Sequence, residues 1–194
     1  MFYTILVGIL GFAFMAGADW ATYKKIPLLK PILWFLIIPV FSYAIVTAWT
    51  DTARFDLPRV LSILAWVPLL FFFGLFIYSL YVEIPLKRTY IDSPQPTKVV
   101  TNGTYSLCRH PAALWFIVWL VSVVIVSGSV TLAVAVPVWT VAYVGSLFWE
   151  EKLCLMGDFG NDYKRYQEVT PMLIPSPPSI GRFWREVRSY FRPN

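Results

Sequence analysis

The 194-residue sequence predicts an all-α, polytopic membrane helical bundle of about five transmembrane helices with a cytosolic C-terminal interfacial helical region. Three observations predict it. Charged residues make up only 14% of the chain, against roughly 25% in an ordinary soluble domain. Hydrophobic residues make up 58%, with a mean hydropathy of +0.63. The apolar residues also fall in runs long enough to cross about 30 Å of hydrocarbon. Together these exclude a water-soluble domain and leave room for one membrane domain over residues 1–194.

The first apolar run, 2–18, lacks the positive n-region of a signal peptide and reads as a retained span, with Asp19 and Trp20 at its interfacial end. Runs 31–50 and 60–82 follow as the second and third spans. From Glu83 to Pro111 the composition turns polar, and Pro85, Pro94 and Pro96 oppose regular helix, as expected of a cytosolic loop. Residues 112–149 carry no charge, and their one turn signal is Ser127-Gly128-Ser129, so spans 112–126 and 130–149 form a tight hairpin. Both hairpin ends return to the same face, which sets the segment before 112 beside the segment after 149. After Pro171, Pro175, Pro177 and Pro178, residues 179–192 place Ile180, Phe183, Trp184, Val187, Tyr190 and Phe191 at helical spacing. Arg182, Arg185, Arg188 and Arg192 lie mostly opposite, the pattern of an amphipathic helix in the membrane interface.

The 16 Lys and Arg against 11 Asp and Glu give a net charge of +5. That balance suits nucleic acid, but the basic residues sit in short segments between apolar runs, so the expected partner is the membrane and not a nucleic acid. Fourteen of the 16 fall in the first loop, the loop before the fourth span and the tail, which places the N-terminus outside and the C-terminus in the cytosol. Cys108 and Cys154 are too few for a disulfide framework and are expected to be reduced thiols. No metal site is expected.

Three clusters carry possible chemistry. In the first, Pro111 suits the opening turn of a helix, where its missing N–H costs nothing. That sets Arg109 and His110, the chain's single histidine, at a helix N-terminus that favours an anion. The plainer alternative makes Arg109 a positive-inside anchor and His110 a cap. In the second, Glu150 and Glu151 end the uncharged run. Adjacent helical residues point about 100° apart, so one carboxylate faces the bundle while the other meets water. The alternative is that both simply mark the helix leaving the membrane. In the third, Tyr163 and Tyr166 lie three residues apart on one helical face, able to offer aromatic faces to a cation.

The ordered combination Gly103-x-Tyr105-x-x-x-Arg109-His110-Pro111, an apolar hairpin, Glu150-Glu151-x-Leu153, and Phe159-Gly160-x-x-Tyr163-x-x-Tyr166 with Ile174-Pro175 resembles the isoprenylcysteine carboxyl methyltransferase and phospholipid methyltransferase family. The resemblance covers residues 97–175; the first three spans are similar only in being apolar. It implies an integral membrane enzyme that takes S-adenosylmethionine from the cytosol and methylates a lipid or lipidated acceptor, either an isoprenylcysteine-type carboxylate or a phospholipid amine. It implies Tyr105, Arg109 and His110 around the methionine end of the cofactor, Glu150 or Glu151 on its ammonium or ribose groups, and Tyr163 and Tyr166 in a segment, 150–175, that closes over it. Arg109, His110 and Glu151 are the residues it points to for catalysis. A carboxylate acceptor needs no base, whereas an amine must lose a proton, to His110 or Glu151.

One departure is Ala112-Ala113, where the family often has a tyrosine two residues after the motif; Trp115 or Trp119 can fill that space. Two other readings share the bundle. An NADPH-dependent membrane sterol or enone reductase typically shows Trp where Tyr163 stands and Cys near Tyr166, and this sequence has neither. The other is a non-catalytic membrane scaffold of the same fold.

Overall fold

The computed structural model describes residues 1–84 and 98–190, and every regular element among them is helical. Pro85, Lys87, Arg88, Pro94 and Pro96 of the expected loop, and Phe191 and Arg192 of the terminal helix, lie outside the described residues. Four helical stretches are long and apolar enough to cross a membrane: Phe2–Tyr23, Leu29–Thr50, Arg59–Glu83 and Val130–Val169. Pro111–Ser127 is a shorter apolar helix. The fold is thus an all-α membrane bundle. The chain forms two compact units, one of Met1–Phe72 with Ile117–Cys154, the other of Phe73–Phe116 with Leu155–Asn194.

In the first unit, α1 (Phe2–Tyr23) and α2 (Leu29–Thr50) pack on each other and on α6 (Val130–Glu150). Helix α1 runs past residue 18, so Asp19 and Trp20 lie in its last turns and not beyond its end. Small residues let the backbones approach: Ala18, Ala21, Ala44 and Ala48 are fully buried, and a Cβ on Gly8 would overlap the indole of Trp139. Trp139, itself fully buried, donates from Nε1 to the Ile5 carbonyl at 3.0 Å. Phe12 stacks on Tyr143 at 5.1 Å and meets Phe41 edge-on at 4.6 Å.

The expected hairpin turn forms between α5 (Pro111–Ser127) and α6. Gly128 takes φ +62°, a left-handed turn that only glycine adopts without strain. Ser129 caps α6, its Oγ accepting from the Leu132 amide and donating to the Ala48 carbonyl at 2.6 Å. The 51–55 loop is laced to this turn. Phe55 N–H donates to Gly128 O, Val130 N–H to Ala53 O, and Arg54 Nη1 to Ser127 O at 2.7 Å. Thr131 donates to Asp51 at 2.5 Å, and this bond, with the Ala53 amide, holds the Asp51 carboxyl below the usual carboxylate range.

The third expected span is divided into α3 (Arg59–Leu64) and α4 (Trp66–Tyr78). Pro68 has no N–H for the Leu64 carbonyl, and the helix breaks at the intervening Ala65. Helix α4 then passes into a π-helical turn, Ser79–Glu83, and a second π-turn, Glu151–Leu155, follows α6. Such turns insert one residue into helical register and often accompany functional sites. A 3₁₀ turn (Gly103–Ser106) and the helices α7 (Met156–Val169) and α8 (Pro177–Tyr190) complete the chain.

Candidate functional site

The second unit gathers the Gly103–Pro111 motif and the segments after 155. Pro111 is the first residue of α5, as its chemistry demands. The amides of Arg109 and His110, just before it, donate to the carbonyls of Pro171 and Met172 at 2.9 and 3.1 Å. The Arg109 guanidinium reinforces the joint, Nη1 donating to the Thr170 carbonyl at 2.7 Å. These bonds bring together two segments of the second unit some 60 residues apart in sequence, one before the uncharged run and one after it. His110 is buried at 9% exposure, while Arg109 is half-buried.

Tyr105, Tyr163 and Tyr166 belong to the same cluster and all are buried. The Tyr166 hydroxyl donates to the Tyr105 carbonyl at 2.6 Å, and its ring meets that of Tyr163 edge-on at 6.0 Å. The two α7 tyrosines thus pack into the unit and are not displayed on its surface. Neighbouring Cys108 has no exposed surface, and burial pushes its thiol up to about 12, against the opposing pull of the His110 amide and the Arg109 charge. It is an inert structural thiol, not a nucleophile.

Several residues of this cluster escaped sequence reasoning. The π-turn aims Glu83 at the 3₁₀ turn, where its carboxylate accepts from the Thr104 amide at 2.7 Å and from the Thr104 hydroxyl. Glu186 of α8 accepts from the Gly103 amide at 3.0 Å. Gly103 sits at φ +62°, and a Cβ there would collide with the Glu83 carboxylate, which is the physical reason for glycine at the head of the motif. Buried Ser79 joins the network: its Oγ lies 3.1 Å from Thr104 Oγ1 and accepts from Trp115 Nε1 at 3.2 Å, and its carbonyl accepts from the Tyr105 hydroxyl at 3.4 Å. Trp115, expected as a filler for the space beside Ala113, is thus engaged with Ser79, and Ala113 is buried at 2% exposure. The signal for Glu83 was present. It is an acid closing an apolar run, the same feature that singled out Glu150 and Glu151.

Those two glutamates lie in the first unit. Glu150 ends α6 half-buried, and Glu151 opens the π-turn buried at 6% exposure, so one of the pair faces inward. Glu150 acts electrostatically on the half-buried Asp19 of α1, as does Lys30, and Cys154 donates from Sγ to the Asp19 carbonyl at 3.4 Å. The acids expected at a membrane boundary are thus accompanied by a cation.

A cavity of about 460 Å³ opens in the second unit between the end of α7 and the start of α8, lined by Gln167, Thr170, Ser176 and Arg182 among others. None of the residues that the sequence points to for the cofactor or for catalysis lines it. Among the described residues no group of His, Cys, Asp and Glu has the arrangement to hold a metal ion.

A family model for phospholipid methyltransferases matches residues 62–158, half of the chain, and takes in Tyr105, Arg109, His110, Glu150 and Glu151. Neither the curated proteins nor the solved structures yield a match.

Proposed function

The chain belongs to the phospholipid methyltransferase family and is a membrane methyltransferase, and from that premise we propose that it transfers the methyl group of S-adenosylmethionine to a lipid or lipidated acceptor entering from the bilayer. The observation that carries the reading is the Arg109–His110 joint: two segments distant in sequence are pinned together where a cation and an imidazole open a helix inside the matched stretch.

The donor set fits such a cofactor. Arg109 and His110 suit a carboxylate, and the first turn of α5 adds its N–H groups and positive dipole end. The rings of Tyr105, Tyr163 and Tyr166 suit a sulfonium, and the family resemblance assigns the ammonium or ribose hydroxyls to Glu150 or Glu151. When bound, the cofactor supplies an electrophilic methyl. The chain's part is to orient and to exclude water: an in-line transfer needs the acceptor about 3 Å from that methyl, and alignment in a desolvated site supplies most of the rate. With an amine acceptor, His110 or Glu151, both buried, takes the proton. The distribution of Lys and Arg supports a site facing the cytosol, with the N-terminus outside.

Calorimetry on detergent-purified protein tests the cofactor. His110→Ala and Glu151→Ala should each weaken S-adenosylmethionine about tenfold or more, as expected when a charged or buried polar partner is removed. Absence of binding, or binding indifferent to both changes, overturns the reading. Membranes incubated with methyl-labelled cofactor identify the acceptor: base-labile label marks a methyl ester, and base-stable label in phospholipid marks an N-methyl product.

A further inference from the structure

Helix α8 has two faces with different work. On the inner face Ser179 is fully buried, Glu186 accepts from the Gly103 amide at 3.0 Å, and Arg182 donates from Nη2 to the Val169 carbonyl at 2.5 Å and to Thr170 Oγ1 at 3.2 Å. Those contacts reach both halves of the site. Gly103 opens the turn that carries Tyr105, and the Thr170 carbonyl is the acceptor for Arg109. Arg182, expected among the outward arginines, thus turns inward.

On the outer face Ile180 and Trp184, one turn apart, are 40% and 55% exposed. Arg188 stands one turn further on, with Arg185 beside it, and both are exposed. Glu186 is the one acid of α8 and it points the other way. An exposed indole and isoleucine continuing into two arginines, with no carboxylate among them, are complementary to an anionic lipid surface: aromatic ring at headgroup level, guanidinium groups on phosphate.

We propose that the outer face of α8 docks on anionic lipid headgroups and that its inner face transmits this docking, through Glu186 to Gly103 and through Arg182 to Thr170, so that the site binds its cofactor more tightly on an anionic membrane. The docking stands on α8 alone; the cofactor readout rests on the proposed function. The linkage works in both directions, since a surface that stabilises one arrangement of α8 stabilises the segments tied to it.

The full chain in lipid nanodiscs tests both parts. Cys108 and Cys154 are buried, so a Ser189→Cys variant accepts an environment-sensitive fluorophore on α8 selectively. The probe emission should shift to the blue in discs containing about 30 mol% phosphatidylglycerol relative to phosphatidylcholine alone, and the shift should vanish in Arg185→Gln/Arg188→Gln and return in Arg185→Lys/Arg188→Lys. No shift, or a shift that survives the glutamine pair, overturns the docking. By calorimetry in the same discs, S-adenosylmethionine should bind about tenfold tighter with the anionic lipid. The glutamine pair should abolish that gain without changing affinity in phosphatidylcholine. Glu186→Ala, which removes the acceptor for the Gly103 amide, should keep the probe shift and lose most of the gain. Equal affinity in both lipids despite a probe shift overturns the transmission; no binding in either lipid overturns the proposed function instead, while the probe still decides the docking.

Discussion

Polar side chains behave differently in the two units. In the first, several hydroxyls return to their own helix: Thr22 donates to the Ala18 carbonyl, Thr47 to Tyr43, Thr50 to Val46 and Ser122 to Val118. Such bonds satisfy the hydroxyl in apolar surroundings without joining anything to anything else. Cohesion between helices comes from buried alanines, the glycine against Trp139 and the Phe12 ring cluster, with long-range bonds concentrated where the 51–55 loop meets the hairpin turn. In the second unit the pattern reverses. Glu83, Arg109, Trp115, Tyr166, Arg182 and Glu186 all bind groups more than ten residues away. One unit is held by shape and the other by directional bonds, and the residues proposed for the methionine end of the cofactor sit where the bonds are directional.

The contrast breaks most sharply at Arg109. Arg109→Gln removes a charge-assisted bond to a backbone carbonyl along with a proposed cofactor contact, and calorimetry should show affinity falling about 100-fold. Gly8→Leu attacks shape instead. It forces Trp139 from its place and should cost about 1–3 kcal/mol, read as a lower Tm, while the folded fraction keeps its cofactor affinity. If Gly8→Leu lowers affinity without lowering Tm, the division of labour is wrong.

Cys108 gives a pH-dependent prediction. Its thiol is raised to about 12 in the fold, against roughly 8.5 in an unfolded chain, so the folded state retains the proton between those values. The stability this contributes is complete below pH about 8.5 and is lost as pH rises toward 12, at no more than about 1.4 kcal/mol per pH unit. Tm should therefore fall more steeply above pH 8.5 in the native protein than in Cys108→Ala. Smaller still is Tyr166→Phe, which removes one hydrogen bond worth about 1 kcal/mol and should weaken the cofactor about fivefold. Smallest is Thr47→Val, whose hydroxyl serves only its own helix; the stability read from Tm and the free energy of cofactor binding should both stay within about 0.5 kcal/mol of native.

The apolar helices, the hairpin turn and the helix start at Pro111 were legible because each is written locally, in apolar runs, in Ser127-Gly128-Ser129 and in the special chemistry of proline. That the stretch before Pro111 meets one after residue 149 was expected from the uncharged hairpin between them; that residues 170–172 are the partners was not written locally. The break at Ala65 was also written, in Pro68, but a long apolar run masks a single missing donor. Glu83, Arg182 and Glu186 were not found for a different reason. Each fits a topological pattern well, as the end of a span or as part of a basic amphipathic helix, and its partner lies from 12 to 83 residues away. Nor does spacing reveal a π-turn, which decides where Glu83 points.

That turn has a consequence for how the chain tolerates insertions and deletions. A π-turn holds one residue more than the α-helix would need, so losing any one of Ser79, Leu80, Tyr81 or Val82 lets the helix relax into uniform winding. The residues after the deletion would then keep nearly their place around the axis, and Glu83 would still face Thr104. A single-residue deletion in a uniformly wound span turns everything beyond it by about 100°; here one letter is spare, and the carboxylate that braces the motif is insulated from its loss.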